Sequence, residues 1–304
     1  MEKAEKRSVL HMLDPMPHVS PFDINMAVDA GFDLVFPSDN VQLDQVNGLV
    51  QDAIFSRGPS GVKRTGIFIG GRDIGVALNM LEAAQKAMVP PFVVSVLADP
   101  SGAFTTAAAL VACVERQLKS RHGDELKGAQ AVVFGGTGPV GIATAVIASL
   151  QGADVTIVDP FNVDHALDKA SEYNERCGSS IVGTYASSDA DKARLLAQAD
   201  VIFCTAKAGV QVLNASVLSD ATQLKVAGDV NAVPPLGIEG IKRSHDGDPL
   251  LHAVNSPGAV GIGALAVGDI KYKLQNALVG SLLASETPLY LDFRRAFEEA
   301  RRLV

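Results

Sequence analysis

The stretch AVVFGGTGPVG, Ala131 to Gly141, limits what this chain can fold into more than any other. Val132, Val133 and Phe134 read as a short buried strand. Gly136, Gly138 and Gly141 then supply the spacing G-x-G-x-x-G, and Ile142 to Leu150 is an apolar, helix-forming run closed by Gly152. A second apolar strand, ADVTIVD, follows and ends on Asp159. In such a strand-turn-helix unit the first glycine permits the tight turn, the second lets an anion approach the backbone, and the third lets the helix pack closely on the strand. The positive end of the helix then faces that anion. A glycine turn can equally be purely structural. Here the context decides, because Asp159 stands 18 residues after Gly141, where a dinucleotide fold places the acid that meets a ribose 2'-hydroxyl. The unit points to a dinucleotide, with Gly136, Thr137, Gly138, Pro139, Val140 and Gly141 at the pyrophosphate and Asp159 at the ribose.

At 304 residues the chain has room for two domains of ordinary size. Its 47% apolar and 20% charged content is that of a globular protein, and its net charge of −8 argues against a sequence-independent grip on nucleic acid. No apolar run is long enough to span a membrane. The start, MEKAEKRSVLHMLD, has no signal-peptide apolar core, so a cytoplasmic protein is expected. Cys113, Cys177 and Cys204 are widely spaced and fit reduced, buried thiols. The histidines show neither H-x-x-x-H nor H-E-x-x-H spacing, so no protein-bound metal is expected.

Before the glycine turn, apolar runs and helical patterns alternate four times: SVLHML with FDINMAVDAG, DLVFPS with LDQVNGLVQDAIFSR, TGIFIGG with DIGVALNMLEAAQKAM, and FVVSVLAD with TTAAALVACVERQLKSR. That alternation predicts a second α/β domain with a parallel sheet. The polar stretch SRHGDELKG reads as the hinge. The expected layout is a substrate domain over 1–124, a Rossmann nucleotide domain over 125–270, and C-terminal helices over 271–304 that pack back on the first domain.

Ligands of parallel sheets bind beyond the carboxyl ends of the strands. In the first domain those ends hold Gly70, Gly71 and Asp73 after the third strand, and Asp99, Ser101, Thr105 and Thr106 after the fourth. They are candidate substrate-binding residues; the competing reading is that the glycines make turns and Asp73, Ser101 or Thr105 cap helices. In the second domain, ADVIFCTAKAG ends a strand at Thr205 and Ala206, small enough for the cofactor to approach. LKVAGDVNAVPPLGIEGI places Asp229 and Asn231 ahead of a stiff proline loop suited to gripping a nicotinamide carboxamide or a substrate ring. In VGIGALAVGDIKYKL a helix is expected from Ile270 onward, with Lys271 and Lys273 at the end where the dipole disfavours cations, either a mark of function or two solvated lysines. The final LYLDFRRAFEEARRL reads as an amphipathic helix assigned to packing.

The segments SVLHML, SPFDINMAVDAGFD, NGLVQDAIFSR, RTGIFIGG, ADPSGAFTTAAA, FGGTGPVG, GDVNAVPPLGIEGI and GIGALAVGDIKYKL together closely resemble the bacterial methylene-tetrahydromethanopterin dehydrogenases of methylotrophs. The likeness covers nearly the whole chain. It implies a cytoplasmic homo-oligomer, trimer or hexamer, with two α/β domains across a cleft. It also implies hydride transfer from methylene-tetrahydromethanopterin to a nicotinamide during formaldehyde oxidation. In the family a lysine at the position of Lys271 lies by the pterin, which raises Lys271 above Lys273. A cation beside the reacting carbon would oppose the carbocation that forms, so Lys271 is expected to position the pterin away from that charge.

Asp159, Pro160 and Phe161 stand where NADP-specific relatives carry basic residues, so NAD is expected to be preferred, with NADP accepted as in other members of this subtype. Two rival readings are open to the sequence: a methylene-tetrahydrofolate dehydrogenase and a non-catalytic NAD-binding sensor.

Overall fold

The computed structural model describes residues 6–304. By contact they form two compact units, one reaching Thr105 and including Tyr272–Glu299, the other Thr106–Lys271 with Ala300–Val304.

The first unit alternates strand and helix as the sequence predicts: β1 (Val9–Leu13), α1 (Pro21–Asp29), β2 (Leu34–Ser38), α2 (Val46–Phe55), a short α3 (Gly58–Val62), β3 (Thr65–Ile69), α4 (Ile74–Lys86) and β4 (Ser95–Ala98), after which α5 (Ala103–Gln117) leads into the second unit. All pairings are parallel, and the strands lie in the order β2-β1-β3-β4. Strands covered on both faces read as continuous apolar runs, and β3 and β4 are buried at every position. Leu10, Met12, Ile67, Phe68, Ile69 and Leu97 form the centre of this core.

The second unit holds β5 (Gln130–Phe134), α6 (Pro139–Leu150), β6 (Asp154–Asp159), α7 (Val163–Cys177), β7 (Ile181–Tyr185), α8 (Asp189–Leu196), β8 (Val201–Cys204), α9 (Ala215–Ser219), β9 (Val226–Asp229), β10 (Asp246–Pro249), β11 (Val260–Ile262) and the start of α10 (Ala264–Ala284). Its sheet runs β10-β11-β9-β8-β5-β6-β7, with β10 antiparallel and the rest parallel. α6 is buried from Gly141 through Ala148, as its unbroken apolar sequence requires. Cys113, Cys177 and Cys204 are free and buried, as expected. Burial raises the Cys113 thiol to about 12, so it stays protonated and inert.

Three expectations need correction, and one strand carries no sequence signal. The stretch read as a hinge is tied into the second unit: Leu126 is buried and Asp124 pairs with Lys225 at 2.8 Å. The compact units therefore divide near the start of α5, where Leu110 and Val114 pack over Gly228 of β9, and not after residue 124. β10, DGDP, carries no strand signal and is held as an edge by β11, by the Arg116–Asp246 ion pair and by the Gln117 amide donating to the Asp246 carbonyl. The last segment is not wholly helical. Tyr290–Leu291 is a two-residue parallel strand, β12, on the edge of β4, too short for any periodicity to reveal, and α11 (Phe293–Leu303) follows. Finally, α10 begins at Ala264, not Ile270. Gly263 is pressed against the Lys242 and Arg243 carbonyls, and the Arg243 carbonyl accepts from Leu265 N–H at 2.8 Å, which starts the helix early.

Candidate functional site

From β5 outward the second sheet runs β7-β6-β5-β8-β9-β11, the doubly wound order in which a dinucleotide lies at the reversal between the first and fourth strands of the series. The glycine turn sits at the carboxyl end of β5, on that reversal. Gly135, at φ +71°, abuts the Thr205 and Ala206 backbone, where an added Cβ would meet Ala206 N at 2.6 Å. Gly136 is closed in by Ile157, and a Cβ on Gly141 would strike the Gly135 carbonyl oxygen. Gly138 differs. At φ −78° and ψ 167° its backbone suits any residue, and a Cβ there would meet only the Gly135 oxygen at 3.4 Å. The fold itself thus needs glycine at 135, 136 and 141 but not at 138, where the bare backbone leaves room for something outside the chain. Gly138 is the N-cap of α6 with no side-chain cap, and Pro139, which has no N–H, is followed by Val140 and Gly141, whose amides at the helix start suit a phosphate.

Thr205 and Ala206 follow β8 beside this turn. The Thr205 N–H and hydroxyl donate to the Phe134 carbonyl at 2.9 and 3.0 Å, which fixes the two strand ends together. Asp159, at the end of β6, is buried and holds four donors: Phe161 N–H at 2.8 Å, Asn162 N–H at 3.0 Å, the Thr137 hydroxyl at 3.1 Å and His165 Nδ1 at 2.8 Å. Burial pushes its carboxyl up, but the bonds from His165, the two amides and Thr137 outweigh burial and hold it below the usual range.

The proline loop after β9 is built by the two polar residues read as ligand contacts. Asp229, almost fully buried, accepts from Asn231 N–H at 2.9 Å and Ile238 N–H at 3.0 Å, so it ties the two ends of the loop. Asn231 accepts from Gly209 and Val233 N–H at 3.2 and 2.9 Å and donates to the Pro235 carbonyl at 3.1 Å. Burial raises the Asp229 carboxyl despite these donors.

The first sheet has the other doubly wound order, with its reversal between β1 and β3. Gly70 and Gly71 end β3 at that point, and beside them stands Asp14 at the end of β1, a residue the sequence reading passed over. Its buried carboxylate accepts from Met16 N–H at 2.8 Å and Gly71 N–H at 3.2 Å, and burial raises it above the ordinary range. The Ser101 hydroxyl donates to the Gly71 carbonyl at 2.8 Å from a residue held at φ +52°, a conformation that costs a non-glycine residue energy and collects at functional sites. Asp99 is turned inward, accepting from Phe104 and Thr105 N–H and, at 2.6 Å, from the Thr105 hydroxyl. Thr106 is half-buried. Asp73 caps α4 through Val76 N–H at 2.9 Å, as its competing reading had it. Gly70, Gly71 and Ser101 thus come together with Asp14, while Asp99 and Thr105 brace the start of α5.

Lys271 is half-buried and Lys273 exposed, both well inside α10. The helix-dipole conflict that singled them out does not exist, because the helix starts upstream of both. Among the described residues no group of three or more His, Cys, Asp or Glu is placed to hold a metal, and no helix is long and apolar enough to cross a membrane.

Two doubly wound units, one with a glycine turn at its strand reversal that is free of packing at Gly138, define an α/β protein of the Rossmann dehydrogenase type. A shikimate 5-dehydrogenase from Listeria monocytogenes, solved with shikimate and NAD, shares this fold at a TM-score of 0.54 and 15% identity, covering 100% of this chain and 99% of that one. Within that class, residues 21–101 match the family described as methylene-tetrahydromethanopterin dehydrogenase, N-terminal. The chain is 45% identical to the NAD(P)-dependent methylenetetrahydromethanopterin dehydrogenase of Methylorubrum extorquens over 97% of its length and 98% of that protein's. It is 31% identical to the bifunctional protein MdtA of the same organism, over 98% and 99%. The chain belongs to the methylene-tetrahydromethanopterin dehydrogenase family.

Proposed function

We propose that this protein oxidises methylene-tetrahydromethanopterin to the methenyl form by passing a hydride to NAD(P), as the name of its 45% identical relative describes. The observation that carries this reading is that near full-length identity, joined to a glycine turn whose opening at Gly138 the fold does not itself require. The nicotinamide supplies the hydride acceptor, and the positive charge left on the carbon is shared by its two flanking nitrogens, so the central step moves no proton. The residues then have to bind, orient and exclude water, and no acid–base pair is required of them.

In this reading Gly136, Thr137, Gly138, Pro139, Val140 and Gly141 seat the pyrophosphate. Thr205 and Ala206 form a small-residue wall, and Asp229 and Asn231 act by stiffening the loop beside it. Gly70, Gly71, Ser101 and Asp14 of the first unit, with Thr106 of α5, receive the pterin; Asp99, Thr105 and Asp73 hold the surrounding backbone. Lys271 hydrogen-bonds the pterin away from the developing cation. Hydride transfer needs the two carbons about 3–3.5 Å apart, so small misplacements by any of these groups are costly. A cytoplasmic location, a homo-oligomeric state and the absence of a nucleic-acid partner belong to the same proposal, the last supported by the net charge of −8.

The direct test is NAD and NADP reduction followed by absorbance with methylene-tetrahydromethanopterin and methylene-tetrahydrofolate as donors. Turnover with the first and little with the second is expected; turnover with neither rejects the assignment. Lys271→Ala is expected to raise KM for the pterin at least tenfold, and unchanged kcat and KM would remove Lys271 from the site.

A further inference from the structure

The end of β6 carries an arrangement that bears on which adenosine ribose this protein accepts. A carboxylate offers about four lone-pair positions. Those of Asp159 face Phe161 N–H, Asn162 N–H, the Thr137 hydroxyl and His165 Nδ1, all within 2.8–3.1 Å, and the side chain is only 6% exposed. A group so filled and so covered has no acceptor left for a ribose hydroxyl. The Asn162 side-chain oxygen accepts from Asp164 and His165 N–H as the cap of α7 and so offers no acceptor to a ribose hydroxyl, and the Phe161 side chain, 90% exposed, has no polar group. His165 stands apart. One ring nitrogen is anchored on Asp159, and the side chain is 48% exposed at the first turn of α7.

We infer that His165, and not Asp159, is the residue that meets the ribose 2'-substituent, and that it admits both NAD and NADP. With Nδ1–H donating to Asp159, a neutral ring presents Nε2 as an acceptor for a 2'-hydroxyl. Protonated, the same ring presents Nε2–H to a 2'-phosphate, the buried carboxylate carrying the countercharge behind it. Asp159 is then a positioning residue: it orients the imidazole and ties the turn at Thr137 to the start of α7. With its imidazole protonated, the His165–Asp159 pair carries no net charge toward a 2'-phosphate, unlike a bare carboxylate at the same place. The inference rests on the dinucleotide reading of the glycine turn and adds to it the identity of the specificity residue.

Calorimetric titration of the apo-protein with NAD and with NADP tests it without turnover. His165→Ala is expected to weaken NADP about tenfold and NAD less than threefold, since a charge-assisted hydrogen bond exceeds a neutral one. His165→Gln, which keeps a donor toward Asp159 without a charge, should restore NAD and leave NADP weak. Asp159→Asn should weaken both cofactors to a similar degree. A ratio of the two dissociation constants that stays at the wild-type value in both His165 variants overturns the inference, as does an Asp159→Asn protein that loses NAD while gaining NADP. Wild-type protein that binds neither cofactor overturns it together with the dinucleotide reading; wild-type binding with an unmoved ratio overturns it alone.

Discussion

Two glycines of one turn separate what the fold requires from what a ligand requires. Gly138→Ala places a methyl group in open space except for one contact at 3.4 Å, so stability should change by less than about 0.5 kcal/mol while NAD affinity falls tenfold or more. Gly141→Ala drives a Cβ into the Gly135 carbonyl and should cost about 2–3 kcal/mol even without nucleotide. Thermal melts beside calorimetry read the two effects, and equal destabilisation by both substitutions would contradict the assignment. The buried carboxylates predict opposite pH responses. Asp159 is held below its ordinary value, so its share of stability is present at neutral pH and lost as pH falls through that lowered value. Asp14 is held above its ordinary value, so the folded protein binds the proton more tightly and stability is lost as pH rises from the ordinary value through the raised one. Urea midpoints between pH 3 and 7 should therefore flatten on the high side of that window in Asp14→Asn. Asp159 was legible as an acid at a strand end. That its oxygens were already filled was not, because Thr137, Phe161, Asn162 and His165 converge on it only in three dimensions.

At the scale of elements, the two ends of the proline loop after β9 are tied by one side chain, Asp229. Asp229→Ala would strip the Asn231 and Ile238 amides of their acceptor in a buried setting, at about 1–3 kcal/mol for each group left unpaired. Hydrogen exchange should quicken at those two amides while the strand amides of β5 and β8 keep their protection; uniform loss across the sheet would mean that Asp229 supports the core and not the loop. Amphipathic and continuous apolar runs made the four strand-helix pairs of the first unit readable. β10 and β12 escaped for a different reason. DGDP has no apolar alternation and Tyr290–Leu291 has no length, so each owes its strand state to a partner edge, β11 or β4, that sequence position does not disclose. The true start of α10 is not legible because its first residues, ALAVGD, hold a glycine and little polar-apolar contrast.

Across the whole molecule, the first unit is completed by a distant piece of chain. Phe293, buried at 2% exposure, packs its ring edge on Phe104 with centroids 5.4 Å apart, and Leu289 donates to Ser95 at the open edge of β4. Ending the chain after Glu286 should expose both that edge and that ring, giving aggregation or a melting transition lowered by at least about 5 °C; a truncated protein that melts like the intact one would show the last strand and helix to be dispensable. The sequence by itself determined the local units: the glycine turn, the alternation that demands parallel sheets, the apolar strands and the family. Those depend on periodicity and short spacings, which neighbouring residues carry. Tertiary structure alone decided the strand orders. They set the reversal points, put Asp14 beside Gly70 and Gly71, and turned Asp99, Asp159 and Asp229 inward onto backbone amides. A carboxylate's role depends on which donors surround it, and those donors come from segments brought together only when the sheets close.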